Sequence, residues 1–269
     1  FKLLVEHIIL PLSFVGIIYA AGYITSLLIA YFLPFFKAKE YIFIFIFFIF
    51  SLKSWSKKRW DIEDLWRDLG FLKFRDNIFN PIFRKELYKS FFIIFFWCLI
   101  LIFGGFLRIK TLNNYQIIFD ILFTAIFVGI AEELLFRVWL FEELNLFLSK
   151  KNNIIFQSII FSLVHPYNFD ENLFFNTLIK IGLFLLGTYL NLLRLNYYPR
   201  IFPAIAFHGG IVGFMFLAKS LLEIKKNYPI FIYGTQYETF INPISGLLGI
   251  FILLILNFFE IKALRIRSL

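Results

Sequence analysis

Runs of Ile, Leu, Phe and Val, many about as long as a bilayer crossing and separated by polar clusters, set the pattern of this chain. A spanning helix needs about 20 mainly apolar residues. On that measure spans are expected at roughly 8–33, 91–107, 117–141, 173–193, 201–218 and 240–260, with shorter runs at 40–54 and 154–166. The fold class that follows is all-α, a polytopic integral membrane protein of about eight transmembrane helices. The one long polar stretch, Lys53 to Ser90, interleaves Lys, Arg, Asp and Glu with Trp55, Trp60, Trp66 and Phe71. It predicts an amphipathic cytoplasmic segment lying on the headgroups, with its aromatics anchored there. The expected organisation is N-terminal transmembrane helices over 1–54, the amphipathic segment over 55–90 and a membrane core over 91–269. No fixed-period repeat is visible, which counts against a solenoid or an inverted-repeat carrier.

Composition agrees with the pattern. Soluble domains are about 45–50% apolar, whereas this chain is 60% hydrophobic with a mean hydropathy of +0.79. Its net charge of +9 does not point to nucleic acid, because the basic residues lie between apolar runs, where they set topology. With the polar stretch inside, Lys150, Lys151, Arg194, Arg200, Lys262, Arg265 and Arg267 share the cytoplasmic side. Fewer basic residues (Arg108, Lys110, Lys219, Lys225, Lys226) fall opposite, together with the acidic Asp170 and Glu171. The expected location is a bacterial-type plasma membrane, with lipids as partners and no nucleic acid. The single Cys98 reads as a small core residue. The 41 Phe read as compositional drift, so no individual Phe is given functional weight. The chain opens on Phe1 rather than Met, so an incomplete N-terminus is an expectation, and no cleavable signal is evident.

Charge inside the apolar runs is the informative exception. Ala131-Glu132-Glu133-Leu134-Leu135-Phe136-Arg137 places two carboxylates and a guanidinium in a spanning run. An ionised group near the bilayer centre costs about 2.5–3.5 kcal/mol on insertion scales, so it marks a site lined by partners or water. Glu133 and Arg137 are four apart in the favourable order for an ion pair along one helix. Glu132 is turned about 100° away and can face something else. Phe161-Ser162-Leu163-Val164-His165 ends a short run, and His208-Gly209-Gly210 lies inside another, where the glycines permit close approach. Measured from the cytoplasmic ends of their helices, Glu132, His165 and His208 lie roughly 15, 21 and 12 Å deep at 1.5 Å per residue. One shared site requires such similar depths. Glu142-Glu143 reads as an interfacial pair, and His7 as an interfacial residue. Asn172, Asn176 and Lys180 recur every four residues on one face, which reads either as a polar line toward the same cavity with an acidic partner for Lys180, or as interhelical hydrogen bonding with a snorkelling lysine. A Glu and two His can polarise a water for attack on a carbonyl, or hold zinc through Glu132, His165 and His208. A proton or ion pathway is the remaining reading of the residues alone.

Glu-Glu-x-x-x-Arg, then Phe-x-x-x-His, then a His in a later span resembles the CPBP family of intramembrane endopeptidases (CAAX protease and bacteriocin-processing). That family is similar to the eukaryotic Ras-converting CAAX prenyl endopeptidase and includes abortive-infection proteins. The resemblance covers roughly residues 115–218 and makes the membrane core a protease core, with its motifs within 131–212. It implies that Glu132 and His165 activate a water, that Glu133 and Arg137 support them, and that His208 helps form an oxyanion hole. No cofactor is required by that mechanism, and zinc is the alternative. The implied partner is a peptide or protein substrate, free, lipid-modified or membrane-bound. One departure stands out: the family usually places Asn or Asp four residues after the last His, and this chain has Val212. Asn176 or a backbone amide near Gly209 is the expected replacement. If nothing replaces it, the chain is a catalytically weakened or silent membrane scaffold or immunity-type protein binding a peptide in the same cavity.

Overall fold

The computed structural model describes residues 5–32, 40–110, 116–165, 172–237 and 240–267. Asp170 and Glu171 lie outside them. Eight long helices carry the fold: α1 (Val5–Phe32), α2 (Glu40–Trp60), α3 (Pro81–Phe103), α4 (Gln116–Glu133), α5 (Lys150–Val164), α6 (Leu173–Asn196), α7 (Phe202–Leu221) and α8 (Leu247–Arg267). Of these, α1, α3, α6, α7 and α8 are long and apolar enough to cross a membrane, which matches five of the eight expected spans among the described residues. The other three fall short for visible reasons. Lys57, Lys58 and Arg59 end α2, Asp120, Glu132 and Glu133 interrupt α4, and α5 has only 15 residues. The chain is an all-α, multi-pass membrane protein.

Local chemistry places the helix ends. Asn80 accepts from the Ile82 amide and Pro81 occupies the first turn, so α3 begins ten residues ahead of the expected span at 91. Ser149 caps α5 in the same way. A last departure lies at the expected 240–260 span, where α8 starts only at Leu247. Residues ahead of it form a short antiparallel pair, β3 (Gln236–Tyr237) with β4 (Phe240–Ile241), and a tight turn, Pro243–Ser245. A second pair joins β1 (Leu107–Ile109) to β2 (Leu222–Ile224) beyond α3 and α7.

α7 packs between α4 and α3, while α6 packs between α5 and α8, and α1 packs on α2. The polar stretch is drawn into this bundle rather than spread on a surface. Leu65 and Leu69 are buried, and Phe71 rests against Phe202 with ring centres 5.2 Å apart. The indole N–H groups of Trp55 and Trp60 both donate to Glu143 Oε1 at 2.8 Å. The reason is that Glu143 is buried and a buried carboxylate must be given donors. The Glu142-Glu143 pair therefore faces protein, with Glu142 ion-paired to buried Arg194 at 3.2 Å.

Candidate active site

Immediately after Glu133 the helix widens into a π-helical stretch, Leu134–Leu140, before a last turn at Phe141–Asn145. Such widening recurs at functional sites and leaves backbone carbonyls without their usual partners. Side chains from two other helices take them up. Gln157 donates to the Phe136 carbonyl, Arg194 Nε to the Arg137 carbonyl at 3.0 Å, and Asn153 to the Phe141 carbonyl at 2.9 Å. This region is thereby locked to α5 and α6.

The α4–α7 crossing is set by small residues. A Cβ on Gly209 would lie 2.7 Å from the Ala125 carbonyl oxygen, and one on Gly129 3.0 Å from the Gly209 Cα. The glycines beside His208 thus admit a neighbouring helix. That approach brings His208 Nδ1 to 2.7 Å from Glu133 Oε1. Glu133 and Arg137 are both fully buried and lie 3.4 Å apart, as their spacing predicted.

Glu132 faces elsewhere. Its Oε2 lies 3.7 Å from His165 Nε2 and 3.8 Å from His208 Nε2, and that oxygen is buried with no hydrogen-bond partner among the described residues. These separations are too long for direct hydrogen bonds. The His165 Nδ1 lies 2.6 Å from the Phe161 carbonyl, which can only accept, so Nδ1 carries the proton. Its Nε2 lone pair is then turned toward Glu132. The structure thus brings Glu132, Glu133, Arg137, His165 and His208 together from three helices. Val212 lies one turn beyond His208 on the same face of α7 and lines the same cavity. His7 stays apart, its ring packed against Phe147.

Two expectations are revised. Lys180 meets no carboxylate among the described residues: its Nζ donates to the carbonyls of His165 at 2.6 Å and Ser162 at 3.0 Å. The C-terminal carbonyls of α5 have no intrahelical partners, and a cation satisfies them. Asn176 is buried but does not line the cavity at Glu132. The second revision concerns Phe161. Its ring centre lies 4.6 Å from His165, 6.0 Å from His208 and 4.3 Å from the Arg137 guanidinium carbon. The signal was its place four residues before His165, hidden by the abundance of Phe.

A cavity of about 440 Å³ opens from the three side chains. On α7 it touches His208, Ile211, Val212, Met215, Phe216 and Lys219, a single helical face. Phe240 to Ile244 close the opposite wall. A second cavity of about 450 Å³, almost wholly apolar, uses other faces of the same helices, including Ile121, Ala125, Ile205 and Phe214. Residues 114–214 match the family model described as type II CAAX prenyl endopeptidase Rce1-like. This stretch is a CPBP-family domain. No curated protein and no solved structure matches the chain. The CPBP domain holds all five of the polar side chains described above, while Lys219 and the wall from Phe240 to Ile244 lie beyond the matched residues.

Among the described residues no three His, Cys, Asp or Glu side chains are grouped as a metal centre. If zinc were used, Glu132, His165 and His208 would hold it, and it would supply Lewis acidity to the same carbonyl.

Proposed function

We propose that the protein is an intramembrane endopeptidase that hydrolyses a peptide bond with a glutamate-activated water. One observation carries the reading: the partly exposed Glu132 carboxylate lines an open cavity, and its Oε2 lies 3.7 and 3.8 Å from two imidazole nitrogens. A water held there gives a proton to Glu132 as its oxygen bonds to the substrate carbonyl carbon. The C=O electron pair moves onto oxygen, and His208, protonated at Nε2, stabilises that charge. Glu133 on Nδ1 of His208 fixes the orientation of the ring, as a carboxylate behind a catalytic His does. When the intermediate collapses, the carbonyl re-forms, the C–N bond breaks and the proton on Glu132 passes to the leaving nitrogen. His165 orients the water, and Arg137 pairs with Glu133 at 3.4 Å and holds it in place.

The reacting groups lie nearer the Arg200 end of α7 than the Lys219 end, which supports cleavage toward the side of the basic polar stretch, expected to be cytoplasmic. The nearby apolar cavity has the chemistry to take an acyl or prenyl chain, which favours a lipid-modified substrate. The test uses purified protein and internally quenched peptides, with and without an S-prenylated cysteine. Wild type is expected to cleave, and Glu132→Gln and His165→Ala are expected to lose at least 100-fold in turnover. Cleavage that survives Glu132→Gln removes the glutamate mechanism.

A further inference from the structure

The wall from Phe240 to Ile244 is irregular backbone packed inside a helical bundle. Such backbone is tolerated at membrane depth only where protein covers it or where it borders a wet cavity. Here it is held with unusual closeness. A Cβ on Gly182 of α6 would overlap the Ile244 carbonyl, and one on Gly249 of α8 would overlap the Pro243 carbonyl. Thr235 and buried Ser245 tie the two arms together, and the Asn242 amide donates to the Thr235 carbonyl at 2.8 Å. The one amide side chain this wall presents to the cavity is Asn242. Its Oδ1 accepts from the Ile244 amide at 3.2 Å, which fixes the side-chain plane. The two Nδ2 protons make no hydrogen bond to a described residue.

The level of Asn242 follows from its neighbours. Phe240 clusters with Met215, Ala218 and Leu222, while Pro243 and Ile244 share a packed space with Phe207 and Ile211. Asn242 lies between them in the chain and lines the same cavity as Val212 and Met215. That stretch of α7 carries no hydrogen-bond donor of its own in Ile211, Val212 or Met215.

We infer that Asn242 donates the side-chain N–H that binds the substrate carbonyl oxygen as it becomes an oxyanion, the role Val212 cannot fill. The inference rests on the proteolytic reading. As water bonds to the carbonyl carbon and the electron pair moves to oxygen, Nδ2–H strengthens its hydrogen bond to that oxygen while Glu132 takes the proton. The donor comes from outside the CPBP domain, on an element whose turn chemistry, Asn-Pro-x-Ser-Gly, is legible only once its position is known.

The experiment is Asn242→Asp, which preserves size and the acceptor that caps Ile244 but removes both N–H groups. On the quenched peptides kcat is expected to fall roughly 100- to 1000-fold with KM little changed, as for loss of an oxyanion donor. Val212→Asn added to Asn242→Asp is expected to restore at least tenfold, because it returns an amide to the same cavity. An unchanged kcat, or a change confined to KM, overturns the inference while leaving the proteolytic reading intact. Val212→Asn made alone is a second check that does not disturb the turn. A gain of 100-fold would show that the native site lacks its donor, and would also overturn it. If neither the native chain nor Val212→Asn cleaves any peptide, the proteolytic reading fails and this inference with it.

Discussion

His208 Nδ1 lies 2.7 Å from Glu133 Oε1, and this contact turns the opposite edge of the imidazole toward Glu132. Two adjacent glutamates thereby acquire different work. One is a buried counter-ion shared by an imidazole and a guanidinium, and the other is a carboxylate with an oxygen left over.

The two should respond oppositely to the same substitution. Glu133→Gln leaves Arg137 buried and uncompensated, a loss of about 3–5 kcal/mol of the kind seen when one partner of a buried pair is removed. Glu132→Gln removes a carboxylate that has no protein donor on Oε2, so stability should hold or rise while turnover disappears. Thermal unfolding in detergent and peptide cleavage, measured on both variants, separate the two outcomes.

Phe161 is expected to matter beyond its apolar area. Phe161→Ala should cost about 3–5 kcal/mol as a buried aromatic truncation, and should also loosen His165, His208 and Arg137 together. Phe161→Leu should recover most of the stability and less of kcat. Equal recovery of both would mean that the ring serves only to fill space.

Lys180 holds the end of α5, from which His165 projects. Lys180→Met should lower kcat by on the order of 10- to 100-fold through misplacement of His165, with KM less affected. Lys180→Arg, which keeps the donor, should lie between. Turnover unchanged in both would leave Lys180 with no positioning role.

The α4–α7 crossing predicts a contrast between two glycines. Gly209→Ala drives a methyl into the Ala125 backbone, so the helices must separate, and both stability and cleavage should fall. Gly16→Ala in α1 meets open space and should stabilise by roughly 0.5–1 kcal/mol with activity retained.

Chelation tests the water-based mechanism directly. Cleavage should persist after prolonged treatment with 1,10-phenanthroline and dialysis. Loss of activity restored by added zinc would transfer Glu132, His165 and His208 to the role of metal ligands.

The residues that bear the chemistry were readable along the chain, because an ionisable group inside an apolar run is costly wherever the run folds. Depth was not readable in the same way, because Glu142-Glu143, the reference for Glu132, is buried in protein and a π-helical stretch intervenes. Eight long helices followed from apolar length, but how many of them cross the bilayer did not, because α2, α4 and α5 carry their charges or their brevity into protein contacts. Partner choice was beyond the sequence. Lys180 reads equally as partner to a carboxylate or as an interhelical donor, and packing gives it carbonyls; Glu143 reads as interfacial and gathers two indoles. Phe161 was one of 41 until packing set it against both imidazoles. Asn242 looked like the start of a span until Gly182 and Gly249 let its turn sink between α6 and α8. The sequence by itself determined which charged side chains needed partners inside the apolar runs. Only the tertiary structure decided what each one touches, because contacts between distant segments depend on how closely backbones can approach, and a few missing Cβ atoms set that distance.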